Sequence, residues 1–153
     1  PAGHGSVPLT ENALVHLSAA VAAIGQWRIP TRMNETTRAY FERLATISEP
    51  EPAARYMAVL HPDPAVRQAA DEHFRQHEPR HASMLRSSIS PTIFQRGYRI
   101  NVIPSEAKAM LDTRLEPTED PEAFLESVRE VINDPAIEVA WAPRNIRPAG
   151  TSR

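Results

Sequence analysis

Between positions 106 and 115 the sequence alternates without a break. Ala107, Ala109, Leu111, Thr113 and Leu115 take every second place, with Glu106, Lys108, Met110, Asp112 and Arg114 between them. A period of two is the spacing of a β-strand, so this stretch predicts a strand with one buried and one polar face. Such a strand needs a partner. Thr92, Phe94, Tyr98, Ile100 and Val102 supply one over 91–102, where Gly97 marks a bulge or a turn. Pro104-Ser105 falls between the two segments, so they are expected to pair antiparallel across that turn.

The rest of the chain reads as helix around this pair. Leu14, Leu17, Val21 and Ile24 recur every three or four residues and make one apolar stripe, which predicts a helix over 10–25. Thr10 is placed to cap it, Glu11 to fill its first turn and Gly25 to end it. Residues 31–86 are rich in Arg, Glu, Ala and Pro and show no strand-like alternation. They predict a helical insertion with helices over 35–47, 52–60, 64–76 and 80–86. Asp120-Pro121-Glu122 is a helix start: a cap, a proline in the first turn and an acid at the positive end of the dipole. Phe124, Leu125, Val128 and Ile132 form the apolar face that follows. Ile137, Val139 and Trp141 predict a last strand, and 143–153 a frayed or connecting tail.

Helix, helical insertion, two strands, helix and strand make an α+β fold. We expect a two-layer sandwich, with an antiparallel sheet covered by helices on one face. One more strand ahead of His4 would complete the ferredoxin-like order βαββαβ. Its apparent absence, and a start on Pro1, read as a piece of something larger. The chain of 153 residues is the size of one domain, expected to run 1–153 with the insertion inside it. Its formal net charge of −2 gives no basic face for nucleic acid or an anionic membrane, and no apolar run reaches the length of a membrane span. There is no cysteine, which removes disulfides, thiol nucleophiles and thiolate metal sites. The compartment stays open.

Three stretches together carry a resemblance: Gly3-His4-Gly5-Ser6-Val7-Pro8, the pattern from Asn101 through Pro104 and Ala107 to Asp112 and Arg114, and the helix start at Asp120. They resemble the lid, or dimerisation, domain of the co-catalytic zinc peptidases and amidohydrolases. That superfamily includes aminoacylase, acetylornithine deacetylase, succinyl-diaminopimelate desuccinylase and carboxypeptidase S, and the insertion is most like the carboxypeptidase S branch. The resemblance implies a homodimer and a substrate that is a peptide or an N-acyl amino acid. It implies two zinc ions in a separate catalytic domain. It further implies that His4 reaches into the partner subunit and stabilises the oxyanion of the tetrahedral intermediate. Gly3 and Gly5 would allow close backbone approach, and Asn101 and Arg114 would bind the carboxylate or amide end of the substrate. This chain carries no His-x-Asp metal motif and no paired glutamates, so by itself it is expected to be inactive and to hold no metal.

Plainer readings stand beside these. His4 could be a loose terminus, Asn101 a cap on the turn before Pro104, and Arg114 a surface ion pair with Glu106 or Asp112. Ser6 reads as a turn residue and not a nucleophile. His73, His77 and His81 recur every four residues, but their segment lacks the glutamate of His-Glu-x-x-His and meets Pro79. They are read as a solvated helix face, and His16 as a neighbour of the core stripe. The alternative to a lid is a stand-alone α+β protein-interaction module without catalysis.

Overall fold

In a computed structural model, which describes residues 3–7, 9–97 and 99–142, helix α1 (Ala13–Gln26) opens on Asn12. The Oδ1 of Asn12 accepts the Leu14 N–H at 3.0 Å. Thr10 is therefore not the cap. Gly25 lies inside the helix, and the chain leaves helical geometry at Trp27. Leu17, Ala20 and Ile24 are the buried residues of its stripe.

The chain divides into two compact units, one of Pro1–Arg28 with Ser88–Arg153 and one of Ile29–Ser87. In the first, strand β2 (Ser88–Gln95) pairs antiparallel with β4 (Lys108–Arg114), from Ser88 opposite Arg114 to Gln95 opposite Lys108. A bulge between Pro91 and Ile93 absorbs the proline, which cannot donate to the ladder. In β4, Ala109, Leu111 and Thr113 are half-buried and the residues between them exposed, as the alternation requires. The strand expected over 91–102 stops at Gln95. Arg96 (φ 149°) and Gly97 (φ 89°) turn the chain away, and Tyr98 lies outside the described residues. Val102–Ile103 forms a separate strand, β3, paired antiparallel with β1 (Gly3–His4). The missing first strand is thus His4's own segment. Pro104-Ser105 is not the hairpin turn, because β3 intervenes between β2 and β4.

Helix α6 (Pro121–Ile132) starts where its sequence says: Asp120 Oδ1 accepts the N–H groups of Glu122 and Ala123 at 2.8 and 3.0 Å. It packs on α1, and α1 packs on β2 and β4, so helices cover one side of the ribbon. Phe124, Leu125 and Val128 are buried, and Trp27 stacks obliquely on Phe124 at 5.5 Å. Each such side chain contributes roughly 1.5–3 kcal/mol by leaving water. This is the α+β two-layer arrangement. The last strand does not form: 137–142 carries no ladder, and the Val139 carbonyl instead accepts from Arg129 Nη2 at 3.0 Å.

Asn133 ends α6 in the left-handed conformation (φ 47°, ψ 42°), which asparagine tolerates. That turn aims Asp134 at α1, where the ring of His16 donates from Nδ1 to Asp134 at 2.6 Å and from Nε2 to Glu11 at 3.2 Å. The Asp134 hydrogen bond and charge, then Glu11, hold the imidazole above its ordinary value of 6.5. The bond from His16, then the Ala136 N–H, holds the Asp134 carboxyl below 3.8. The raised His16 stabilises fully below 6.5, and its contribution is lost as pH rises through the folded value. The lowered Asp134 stabilises above 3.8, and its contribution is lost as pH falls through the folded value. His16→Ala should therefore melt below wild type by the widest margin near about pH 5, and the gap should close as pH rises past neutrality. Thermal midpoints of both proteins across pH check this; a gap independent of pH would refute it.

The second unit is helical: α2 (Glu35–Ile47), α3 (Pro50–Ala58), α4 (Pro64–His77) and α5 (Pro79–Met84). Asn34 caps α2 by accepting the Thr37 N–H at 2.8 Å, and Asp63 caps α4 by accepting that of Ala65 at 2.9 Å. Prolines open α3, α4 and α5, where a missing N–H is harmless. The core is Phe41, Val59, Ala70, Phe74, Ala82 and Leu85, with Phe41 and Phe74 fully buried and stacked at 5.7 Å. The histidine reading needs correction here. His81 is no solvated face: its side chain is 18 % exposed and sits among the rings of Tyr40, Phe41, Tyr56 and Phe74. Its Nδ1 meets Glu78 at 2.5 Å, and Pro79, by restarting the helix, turns it inward. A carboxylate at the helix junction lets an imidazole lie against an apolar core.

Candidate functional site

The N-terminal ribbon is held by main-chain bonds on both sides of His4. Gly3 stands opposite Ile103 and His4 opposite Val102. The Gly5 N–H donates to the Asn101 carbonyl at 2.9 Å, and the Val7 N–H closes a turn onto the His4 carbonyl at 2.9 Å. His4 is thus not a loose end. Its backbone is fixed while its side chain remains exposed.

The imidazole is contacted from two directions. The Ser6 N–H donates to Nδ1 at 3.2 Å, and Ser6 Oγ lies 2.7 Å from the same nitrogen. On the other side, Asn101 Nδ2 stands 3.4 Å from Nε2. Two residues that lie 97 apart in sequence are brought side by side because β1 pairs with β3. Asn101 directs its side chain to His4 and its carbonyl to Gly5.

Space at Gly3 is tight but yielding, because the nearest atom is the far end of the Leu9 side chain. A Cβ there would lie 2.8 Å from Leu9 Cδ1, with Ile103 Cδ1 at 3.6 Å behind it. Gly5 is less constrained: a Cβ would meet the backbone of residues 100 and 101 at 3.6 Å, ordinary contact distance.

Arg114 stands elsewhere, at the end of β4 on the other ribbon. Its side chain is 80 % exposed, and Nε donates to Asp112 at 3.2 Å. Asp112 and Arg114 share the polar face because they are two apart on a strand. Glu106 is taken instead by Arg96, at 3.1 Å. An exposed pair like Arg114–Asp112 is weak, so the guanidinium can turn to a stronger carboxylate partner at little cost.

Ser6 is the residue whose partner the sequence reading missed. The signal was available: a hydroxyl two residues after a histidine, in a glycine-flanked turn, can fold back onto its ring.

Among the described residues, no group of three or more His, Asp or Glu is placed to hold a metal ion. No helix among them is long and apolar enough to cross a membrane.

The chain belongs to the peptidase dimerisation domain family, which it matches over residues 1–140. It is 24 % identical over 151 residues to the human N-fatty-acyl-amino acid synthase/hydrolase PM20D1, covering 96 % of this chain and 29 % of that protein. The Xenopus tropicalis protein of the same name is 29 % identical over 139 residues, 90 % of this chain and 26 % of its own length. A probable carboxypeptidase S-like 2 of Dictyostelium discoideum is 33 % identical over 70 residues, 46 % of this chain and 14 % of its own. The chain therefore spans under a third of the length of these relatives. No solved structure matches it.

Proposed function

We propose that this chain is the dimerisation and substrate-binding lid of a zinc-dependent hydrolase that cleaves amide bonds of peptides or N-acyl amino acids. His4 stabilises the oxyanion in the partner subunit's active site. The observation that carries this reading is the pair of nitrogens, His4 Nε2 and Asn101 Nδ2, 3.4 Å apart on an exposed ribbon. Asn101 Nδ2 can only donate, so here it bonds to the lone pair of Nε2; once the ring carries hydrogen on Nε2, the two donors repel unless an acceptor lies between them. A carbonyl oxygen gaining negative charge is such an acceptor, and donors held ready for it favour the transition state over the ground state. Arg114 then takes the substrate carboxylate, exchanging its weak tie to Asp112 for a planar fork. The names of the relatives, N-fatty-acyl-amino acid synthase/hydrolases and a probable carboxypeptidase S-like protein, support that substrate class. Two zinc ions bound outside this chain would activate the attacking water. The residues described here do not fit a metal site, and the role assigned to them is to bind, orient and donate hydrogen bonds.

Homodimerisation has a natural surface. Among the described residues, strands β2 and β4 are each paired on one side only, and Ile93, Phe94 and Met110 are exposed along them. Unpaired strand edges and apolar side chains together favour a second copy of the same ribbon. Phe94→Asp should raise the dimer dissociation constant at least about 30-fold, the weight of one central apolar anchor. Sedimentation equilibrium measures this; an unchanged dimer would place the interface elsewhere. The action in trans is tested by subunit mixing in the full-length protein. A His4→Ala protomer and a protomer disabled in its metal domain, each inactive as a homodimer, should regain activity as a mixed dimer. No recovery would sink the role in trans.

A further inference from the structure

We propose that Ile100, with Val7 on the neighbouring turn, is the apolar contact for the acyl group of the substrate and makes the hydrolase favour long aliphatic N-acyl amino acids over short ones. This rests on the reading of His4 and Asn101 as hydrogen-bond donors to the scissile carbonyl oxygen.

Two turns hold the donor pair. One runs from His4 to Val7, closed by the Val7 N–H on the His4 carbonyl at 2.9 Å. The other runs from Arg99 to Val102, closed by the Val102 N–H on the Arg99 carbonyl at 3.2 Å. The Gly5 N–H, bonded to the Asn101 carbonyl at 2.9 Å, ties one turn to the other. A Cβ on Gly5 would lie 3.6 Å from the Ile100 carbonyl oxygen, so the two backbones run close together. Turn positions favour Gly, Pro, Asn, Asp and Ser, whose backbones or short polar side chains suit them. Ile100 is none of these. It stands at the first corner of its turn, directly before Asn101, and is as exposed as an isoleucine can be. Val7 is largely exposed as well. A single apolar side chain in water needs no explanation, but two on the turns that carry His4 and Asn101 put apolar surface where the site has its donors. Ligand sites have this composition, a few polar groups that orient within apolar surface that binds. An amide carbonyl has two neighbours, the acyl chain and the amide nitrogen. On the nitrogen side the substrate bears its carboxylate, which Arg114 takes from the other ribbon. An uncharged residue adjoining the carbonyl donors is left for the acyl side. An aliphatic chain there removes Ile100 and Val7 from water, and a longer chain removes more of them than a methyl group can.

The test assays the full-length protein with N-acetyl and N-decanoyl amino acids matched in the amino acid. Wild type should show the higher kcat/KM on the decanoyl series. Ile100→Ser should lower the decanoyl-to-acetyl ratio at least about 10-fold, the weight of a methylene or more in an apolar pocket, with kcat/KM on the acetyl series kept within about 2-fold. Ile100→Val should keep most of the preference. Ile100 is exposed, so Ile100→Ser should melt with wild type, and the loss of preference is then not a loss of fold. A wild type that favours the acetyl series or cleaves neither, or a ratio unchanged in Ile100→Ser, overturns the proposal. An equal loss on both series with a weakened dimer does so too, because it seats Ile100 against the partner protein instead of the substrate. His4→Ala separates this inference from the reading beneath it. If His4→Ala lowers kcat on both series while Ile100→Ser leaves the ratio alone, the donors stand and the acyl contact falls. If His4→Ala is fully active, the oxyanion role itself falls.

Discussion

Replacing His4 by alanine in the full-length protein is expected to lower kcat about 100- to 1,000-fold while leaving KM within a small factor. Loss of one preorganised donor to an oxyanion costs on the order of 3–4 kcal/mol in a closed site. The substrate carbonyl carries little charge before attack, so its ground-state binding loses far less, and the loss falls on kcat. The fold should survive. β1 is held through the backbone, by its pairing with β3 and by the bond from Gly5 N–H to the Asn101 carbonyl, and alanine keeps both. Dimerisation should survive as well, because the exposed apolar residues Ile93, Phe94 and Met110 lie on the other ribbon. Steady-state kinetics with sedimentation on the same sample separates the outcomes. A large fall in kcat with an intact dimer is the expected result. An unchanged kcat means that His4 is an ordinary surface histidine, and the oxyanion role is then wrong.

What was legible in the sequence follows from how local each signal is. The start of α6 could be read because a capping side chain, with a proline beside it, sits within two or three residues of the amides it organises, and the end of α2 because the proline-rich break from Ser48 to Pro52 follows it. The expectation of Thr10 as the cap of α1 fails because Asn12, two residues further on, accepts the Leu14 N–H instead. The strand over 91–102 was misread because alternation does not register the reversal at Arg96 and Gly97. The pairing that takes Val102–Ile103 to the N-terminal strand joins segments about a hundred residues apart, which no period reveals. The same pairing makes the site. Composition and spacing mark His4 only as a glycine-flanked histidine and Asn101 only as a turn residue. The resemblance named them together, and β1 against β3 is the physical cause of their meeting. His81 shows the opposite limit. A four-residue histidine spacing reads as a polar face until a proline restarts the helix and turns one ring inward.

The largest loss of stability is expected from Phe74→Ala in the helical unit. Phe74 has no exposed surface, stacks on the equally buried Phe41 at 5.7 Å and touches Tyr56 and His81 at 6.0 and 5.5 Å between centroids. Truncating a buried phenylalanine to alanine costs roughly 3–5 kcal/mol, partly as lost transfer energy and partly as the cavity left behind. The stacked pair adds about 0.5–1.5 kcal/mol that alanine cannot recover. Whole domains are stable by only about 5–15 kcal/mol, so a helical unit of residues 29–87 should lose most of its order near physiological temperature. Hydrogen exchange reads this locally: amides of α2 and α4 should lose most of their protection. Ile47→Ala is the matched control. Ile47 is 83 % exposed on α2, and its loss should change stability by less than about 0.5 kcal/mol. If Phe74→Ala behaves like Ile47→Ala, these rings do not form the core of the unit. If protection collapses as expected, the aromatic cluster is what holds the insertion together, and His81 with Glu78 is a polar pair tolerated at its edge.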